Sequence, residues 1–207
     1  MALANYSDLK TSVSTWLDRT DLDTVLPDLI TLAEASLNRT LRHRLMLQRS
    51  TASIDSEYTV LPSDFLEMRA LQINGDPVRS LEYLTPQQMD ENDSSYRNDA
   101  KPLFFSVIKD YFQVLPVPDT TYTGELIYYS RIPSLSDSQT SNWLLDDHPD
   151  IYLYGTLRQA SPYLREDERM AVWESLYAAR YAETQAESER TETYGSSLRI
   201  KHTPLGD

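Results

Sequence analysis

The chain has no cysteine, only five glycines and three histidines, and no long apolar run. Each shortage closes off a class of function. Without cysteine there is neither a disulfide framework nor a thiolate metal site. Gly75, Gly124, Gly155, Gly195 and Gly206 stand too far apart for a GxGxxG or Walker phosphate loop, and there is no GxSxG nucleophile turn. His43, His148 and His202 are scattered, which argues against a histidine-built catalytic or metal site and for surface or interface roles. No apolar stretch approaches the roughly 20 residues of a membrane-spanning helix. The opening MALANYSDLKTSVSTWLDRT lacks the basic segment and apolar block of a signal peptide, so a soluble product made in the cytoplasm is expected.

Positive charge is also short. Nineteen Lys and Arg face 32 Asp and Glu, a net charge of −13. Gripping phosphates rests on a basic face, so nucleic-acid binding is disfavoured. The acidity suits solubility, or a wall past which DNA slides without sticking.

What remains is an ordinary folded composition across 207 residues, 40% hydrophobic and 25% charged. Residues 6–19 read as a helix capped by Ser7, with Leu9, Val13, Trp16 and Leu17 on one face. A longer helix is expected over 24–45, its stripe running from Val25 through Leu29, Leu32, Ala33, Leu37 and Leu41 to Leu45. Its charges are sorted with the helix dipole. Asp21, Asp23 and Asp28 lie near the start, and Arg39, Arg42 and Arg44 near the end.

From 46 to 132 the pattern becomes strand-like. The runs are 57–61, 65–74, 77–81, 103–109, 111–115 and 124–132, separated by turns at Gly75-Asp76 and Lys109-Asp110 and by a loop over 116–123. A short helix begins at Thr85-Pro86, and 90–101, DENDSSYRNDAK, reads as a polar loop. Helical periodicity returns after 142 with Leu153, Leu157, Ala160 and Leu164 on one face. A helix over 166–190 carries Met170, Trp173, Tyr177 and Tyr181 on one side and Ala171, Ala178, Ala182 and Ala186 on another. Gly155 inside a helix implies close approach by a neighbour, for which the alanine side is the candidate. The fold class expected is α+β. Both chain ends (1–48 and 142–190) form a helical bundle platform, 49–141 a β-rich insertion, and 191–207 an extended C-terminal arm.

Several stretches mimic chemical sites. In Asp146-Asp147-His148-Pro149-Asp150 the ligand types are consecutive rather than set at helical spacing. The run reads as a helix start: His148 or Asp147 caps it, Pro149 occupies the first turn, and Asp150 faces the dipole. DENDSSYRNDAK lacks the sixth-position glycine and closing glutamate of an EF-hand. Glu67 and Glu125 are the best candidates for a glycosidase-type carboxylate pair, but each alternates with apolar strand residues and should point to water. No catalytic, cofactor or metal residues are assigned. The basic run NRTLRHRLMLQR (38–49) has two readings: internal dipole and salt-bridge partners, or a contact in which Arg39, Arg42, Arg44 and Arg49 meet carboxylates of another subunit. With 14 tyrosines against four phenylalanines, Tyr181 and Tyr194 read as interface residues and Trp173 as core.

YYSRIPSLSD (128–137), then SNWLLDDHPDIYLYG (141–155), then the tryptophan-bearing last helix resemble the head–tail adaptor (connector) proteins of tailed bacteriophages. YTVLPSDFLEMRAL (58–71) and YFQVLPVP (111–118) are similar to the same family. The resemblance implies a structural protein of the virion neck with no enzymatic activity. It would form a ring, generally dodecameric, between the portal protein and a tail nozzle or tail tube protein. DNA would pass through without specific binding. It further implies that the C-terminal arm locks onto the portal, with Leu198, Ile200 and Leu205 as apolar anchors and Arg199 and Lys201 as charge contacts. Two other functions fit the residues: a carboxylate-based cell-wall glycan hydrolase of the virion, and a binding module that reads a host or tail component through the β insertion.

Overall fold

The computed structural model describes residues 3–96, 98–160 and 169–193. Among these residues the fold is α+β, with six α-helices and two four-stranded sheets. Helix α1 (Tyr6–Leu17) starts at Asn5 rather than Ser7, because the Asn5 carboxamide accepts the Asp8 amide at 2.9 Å. Leu9, Val13 and Leu17 are buried, whereas Trp16 is 39% exposed.

Helix α2 (Leu26–Thr40) stops well short of residue 45. Leu41 turns extended, and Arg42 Nη1 donates to the carbonyls of Asn38 and Leu41. The cation therefore does satisfy the negative helix end, but from outside the helix. A 3-10 turn, Arg44–Met46, follows, and then strand β1 (Leu47–Ile54). This strand was not expected from LQRSTASI, which has no apolar alternation. Its partner makes it a strand: β1 pairs with β8 (Tyr122–Ser130) at every residue from Leu47↔Tyr129 to Ile54↔Tyr122. Cross-strand context outweighs local pattern there.

The remaining strands are β2 (Tyr58–Val60), β3 (Phe65–Ile73), β4 (Arg79–Ser80), β5 (Glu82–Tyr83), β6 (Phe104–Ile108) and β7 (Tyr111–Leu115). One sheet runs β1-β8-β3-β4 and the other β2-β7-β6-β5, all antiparallel except β5 with β6. Lys109-Asp110 forms the expected tight hairpin, with Lys109 at φ 54°. Helix α3 (Pro86–Asp93) opens with a full capping box between Thr85 and Gln88. It takes in residues 90–93, which had read as loop.

Asn142 caps α4 (Trp143–Asp147) by accepting the Leu145 amide, and α5 (Pro149–Ala160) and α6 (Met170–Thr193) follow. Two cores result. The helical core joins Leu9, Val13, Leu29, Leu37, Ile151, Leu157 and Trp173. The second fills the space between the sheets with Ile54, Leu71, Ile73, Phe112, Val114 and Leu126. Strand β8 serves both, since Tyr128 belongs to the β core and Tyr129 to the helical one. Gly155 is explained by α6, but not by its alanine side. An added Cβ would lie 3.3 Å from Tyr177 Cε2 and 3.7 Å from Ala33 Cβ. Ala171, Ala178, Ala182 and Ala186 all face outward.

Candidate interaction surface

A groove of about 950 Å³ runs between α2, the start of β3 and the segment leaving β8. Arg39, Arg42, Arg131, Asp64, Trp143 and the buried Glu34 are among the residues that line it. The 38–49 basic run is thus split by its backbone. Arg42 is internally committed, with Nε 2.6 Å from Glu67 and the guanidinium over the Tyr129 ring. Arg49 donates to Glu125 at 2.7 Å across the β1–β8 pair. Arg39 and Arg44 are exposed and pair with no carboxylate among the described residues. The run is therefore mixed: Arg42 and Arg49 are held in internal ion pairs, and Arg39 and Arg44 face outward without a carboxylate partner among the described residues.

Tyr181 packs near Tyr177 and donates its hydroxyl to the Thr40 carbonyl at 2.7 Å, tying α6 to the end of α2. Its polar tip thus has a partner within the chain. Trp173, 2% exposed, is core as expected. Tyr194 and the arm residues Leu198, Arg199, Ile200, Lys201 and Leu205 lie outside the described residues.

Glu67 is exposed, as its place on an alternating strand implies, and Glu125 is half-buried; each faces an arginine rather than the other. Among the described residues the buried carboxylate is Glu34, 3% exposed, which was not among the acids the sequence pattern singled out. A signal existed: Glu34 sits on the α2 stripe between Ile30 and Leu37, where an acid is out of place. Its Oε1 accepts the Leu135 amide at 2.8 Å and the Tyr152 hydroxyl at 3.3 Å. Asn142 Nδ2 reaches both Tyr152 Oη at 2.7 Å and the Pro133 carbonyl at 2.6 Å. This knot fastens the segment between β8 and α4 onto α2. Burial raises the Glu34 carboxyl above its ordinary value, against the bonds from Leu135 and Tyr152. Burial and the Glu34 charge together raise the Tyr152 phenol. The geometry is that of an anchor, with one carboxyl oxygen held by two donors of its own chain.

The Asp146–Asp150 run is two helix ends, not one. Asp146 and Asp147 finish α4, His148 is its C-cap, and Pro149 opens α5 with Asp150 in the first turn. Asp146 accepts a hydrogen bond from Ser141, and Asp150 pairs with Arg180 at 3.4 Å. Among the described residues no group of three or more His, Asp or Glu is placed to hold a metal ion, and no helix is long and apolar enough to cross a membrane.

The polar side chains described here mostly fasten one element to another, as in a structural protein of α+β build. The model of the SU10 adaptor protein family matches residues 4–201, nearly the whole chain. The chain belongs to that family and is a phage adaptor structural protein. No curated protein matches it.

Proposed function

We propose that copies of this chain form a head-to-tail adaptor ring in the virion neck, between the portal protein and a tail nozzle or tail tube protein, through which DNA passes. The observation that carries this reading is the family match across residues 4–201. In this reading the helical segments 1–48 and 142–190 are the platform, 49–141 projects from it, and 191–207 is the arm that reaches the portal. The ring is dodecameric, matching the portal. A closed ring of identical subunits needs two different side surfaces that fit each other. Exposed Arg39 and Arg44 belong to one of them. The other supplies carboxylates, which a chain of net charge −13 has in excess. The same excess gives a lumen that repels phosphate and lets the genome move without sticking.

The test is native mass spectrometry of the full chain with and without portal protein, followed by reconstruction of the particle neck. Rings seated on the portal are the expected result. Arg39→Glu with Arg44→Glu should lower ring yield while the monomer's circular dichroism stays unchanged. A chain that never joins the portal at high concentration, or a neck without it, overturns the reading.

A further inference from the structure

The corner between α2 and β1 holds a histidine whose placement goes beyond an adaptor's need for contact surfaces. His43 is 1% exposed. Its Nδ1 accepts the Leu45 amide at 3.3 Å and so caps the 3-10 turn Arg44–Met46. The ring's proton is therefore on Nε2, and that atom is buried with no hydrogen-bond partner among the described residues. One face of the ring stacks on Trp143 of α4, with centroids 5.1 Å apart. His148, between α4 and α5, meets it edge-on at 5.8 Å.

The next residue fastens α6: the Arg44 amide donates to Ser188 Oγ at 2.9 Å. Ser188 and Thr184 are buried, and Thr184 Oγ1 lies 3.5 Å from His148 Nδ1. The second half of α6 is thus held to the body through the two histidines and the turn that one of them caps, together with ion-pair contacts of Glu187 with His148 at 4.0 Å and of Glu192 with Arg69 of β3 at 3.7 Å.

A second proton on His43 must go to Nδ1, which already faces the Leu45 N–H. Charging the ring sets donor against donor, breaks the cap, and places a cation in a buried site. The charged and titratable groups facing it pull in both directions. His148 and Arg44 oppose a positive ring, while Glu187 of α6 and Asp147 of α4 favour one. Burial is the largest influence and holds the imidazole below its ordinary value of 6.5. With a lowered value the neutral ring belongs to the folded state. Its contribution is intact above the ordinary imidazole range and is lost as pH falls below it.

The geometry points to an acid-sensitive latch: neutral His43 caps the Arg44–Met46 turn and so keeps the Thr184–Thr193 half of α6 docked, and protonation on Nδ1 releases it. This device does not depend on the ring proposed above.

The test is amide hydrogen exchange of the full chain at about pH 7.5 and about pH 5, corrected for intrinsic rates. In the unaltered protein, protection over residues 184–192 should fall roughly tenfold or more at the lower pH, while β3 and β8 keep theirs. In His43→Asn the side-chain Oδ1 can still accept the Leu45 amide but cannot titrate, so the same segment should lose its pH response. Equal protection at both pH values in the unaltered protein overturns the latch. So does a response that survives in His43→Asn and disappears in His148→Asn. If His43→Asn fails to fold, the imidazole resonances of the unaltered protein decide. His43 protonating in step with loss of α6 protection supports the latch, and His43 protonating with α6 still protected defeats it.

Discussion

The two cores are built by different means. The β core draws on one continuous stretch, Ile54 to Tyr128, and backbone ladders set the register of its strands. The helical core gathers α1 and α2 from one end of the chain and α4, α5 and α6 from the other. Apolar burial is non-directional and cannot say how far one helix slides on the next. That half carries most of the buried hydrogen-bonded side chains: Glu34, Tyr152 and Asn142 in one knot, and His43, Thr184 and Ser188 in another. A ladder supplies direction through the backbone, whereas helices distant in sequence must obtain it from side chains.

The sharpest way to break this contrast is to hollow each core in turn. Trp173→Ala and Phe112→Ala should each cost about 3–5 kcal/mol. All three tryptophans, Trp16, Trp143 and Trp173, lie in the helical half. Because β8 belongs to both cores, Phe112→Ala should lower the urea midpoint seen by tryptophan fluorescence as well as that seen by circular dichroism. A fluorescence midpoint that stays in place would mean the halves unfold separately.

Next is the knot. Glu34→Leu leaves the Leu135 amide and the Tyr152 hydroxyl without their acceptor, at about 1–3 kcal/mol for each buried orphan. Glu34→Gln keeps an acceptor and removes the charge, so it should cost far less. Its pH dependence has a defined sign. A carboxyl raised by burial favours folding while protonated, and that contribution disappears as pH climbs through and above the ordinary acid range. Urea titrations across acid and neutral pH should therefore show Glu34→Gln gaining on the unaltered protein as pH rises. Parallel curves would remove Glu34 from the account.

Two glycines refine the comparison further. At Gly124 in β8 a new Cβ would stand 2.5 Å from Ile54 Cδ1 in the β core, so Gly124→Ala should cost about 1–3 kcal/mol. At Gly155 the neighbour, Tyr177 Cε2, is 3.3 Å away, and alanine gains up to about 1 kcal/mol in helix preference. Gly155→Ala should fall within about 1 kcal/mol of the unaltered protein, and thermal melts of the pair would rank them. The smallest effect belongs to Arg49→Ala. Its side chain is 71% exposed, and the pair with Glu125 should be worth no more than about 1 kcal/mol in a melt at low salt.

Residues that announce themselves locally were readable. Thr85-Pro86 opens a helix, Lys109-Asp110 turns a hairpin, and Trp173 and Leu157 are buried at helical spacing. The basic run 38–49 was visible as a cluster, but nothing in the sequence separated the ion-paired Arg42 and Arg49 from the exposed Arg39 and Arg44. The break after Thr40 lay hidden because the stripe continues through Leu41 to Leu45, and nothing in the spacing shows that Arg42 will seal the helix end. The anchoring role of Glu34 was equally out of reach, since its partners stand 101 and 118 residues away.

Period, charge and residue preference along the chain were enough to set the α+β class and the order of most elements, because they act within a few neighbouring residues; the family likeness rested instead on particular motifs such as SNWLLDDHPDIYLYG. Strand β1, the end of α2, the packing of Tyr177 on Gly155 and the meeting of His43 with His148 were decided by contact between distant segments. The energies behind them come from partners that no local window contains.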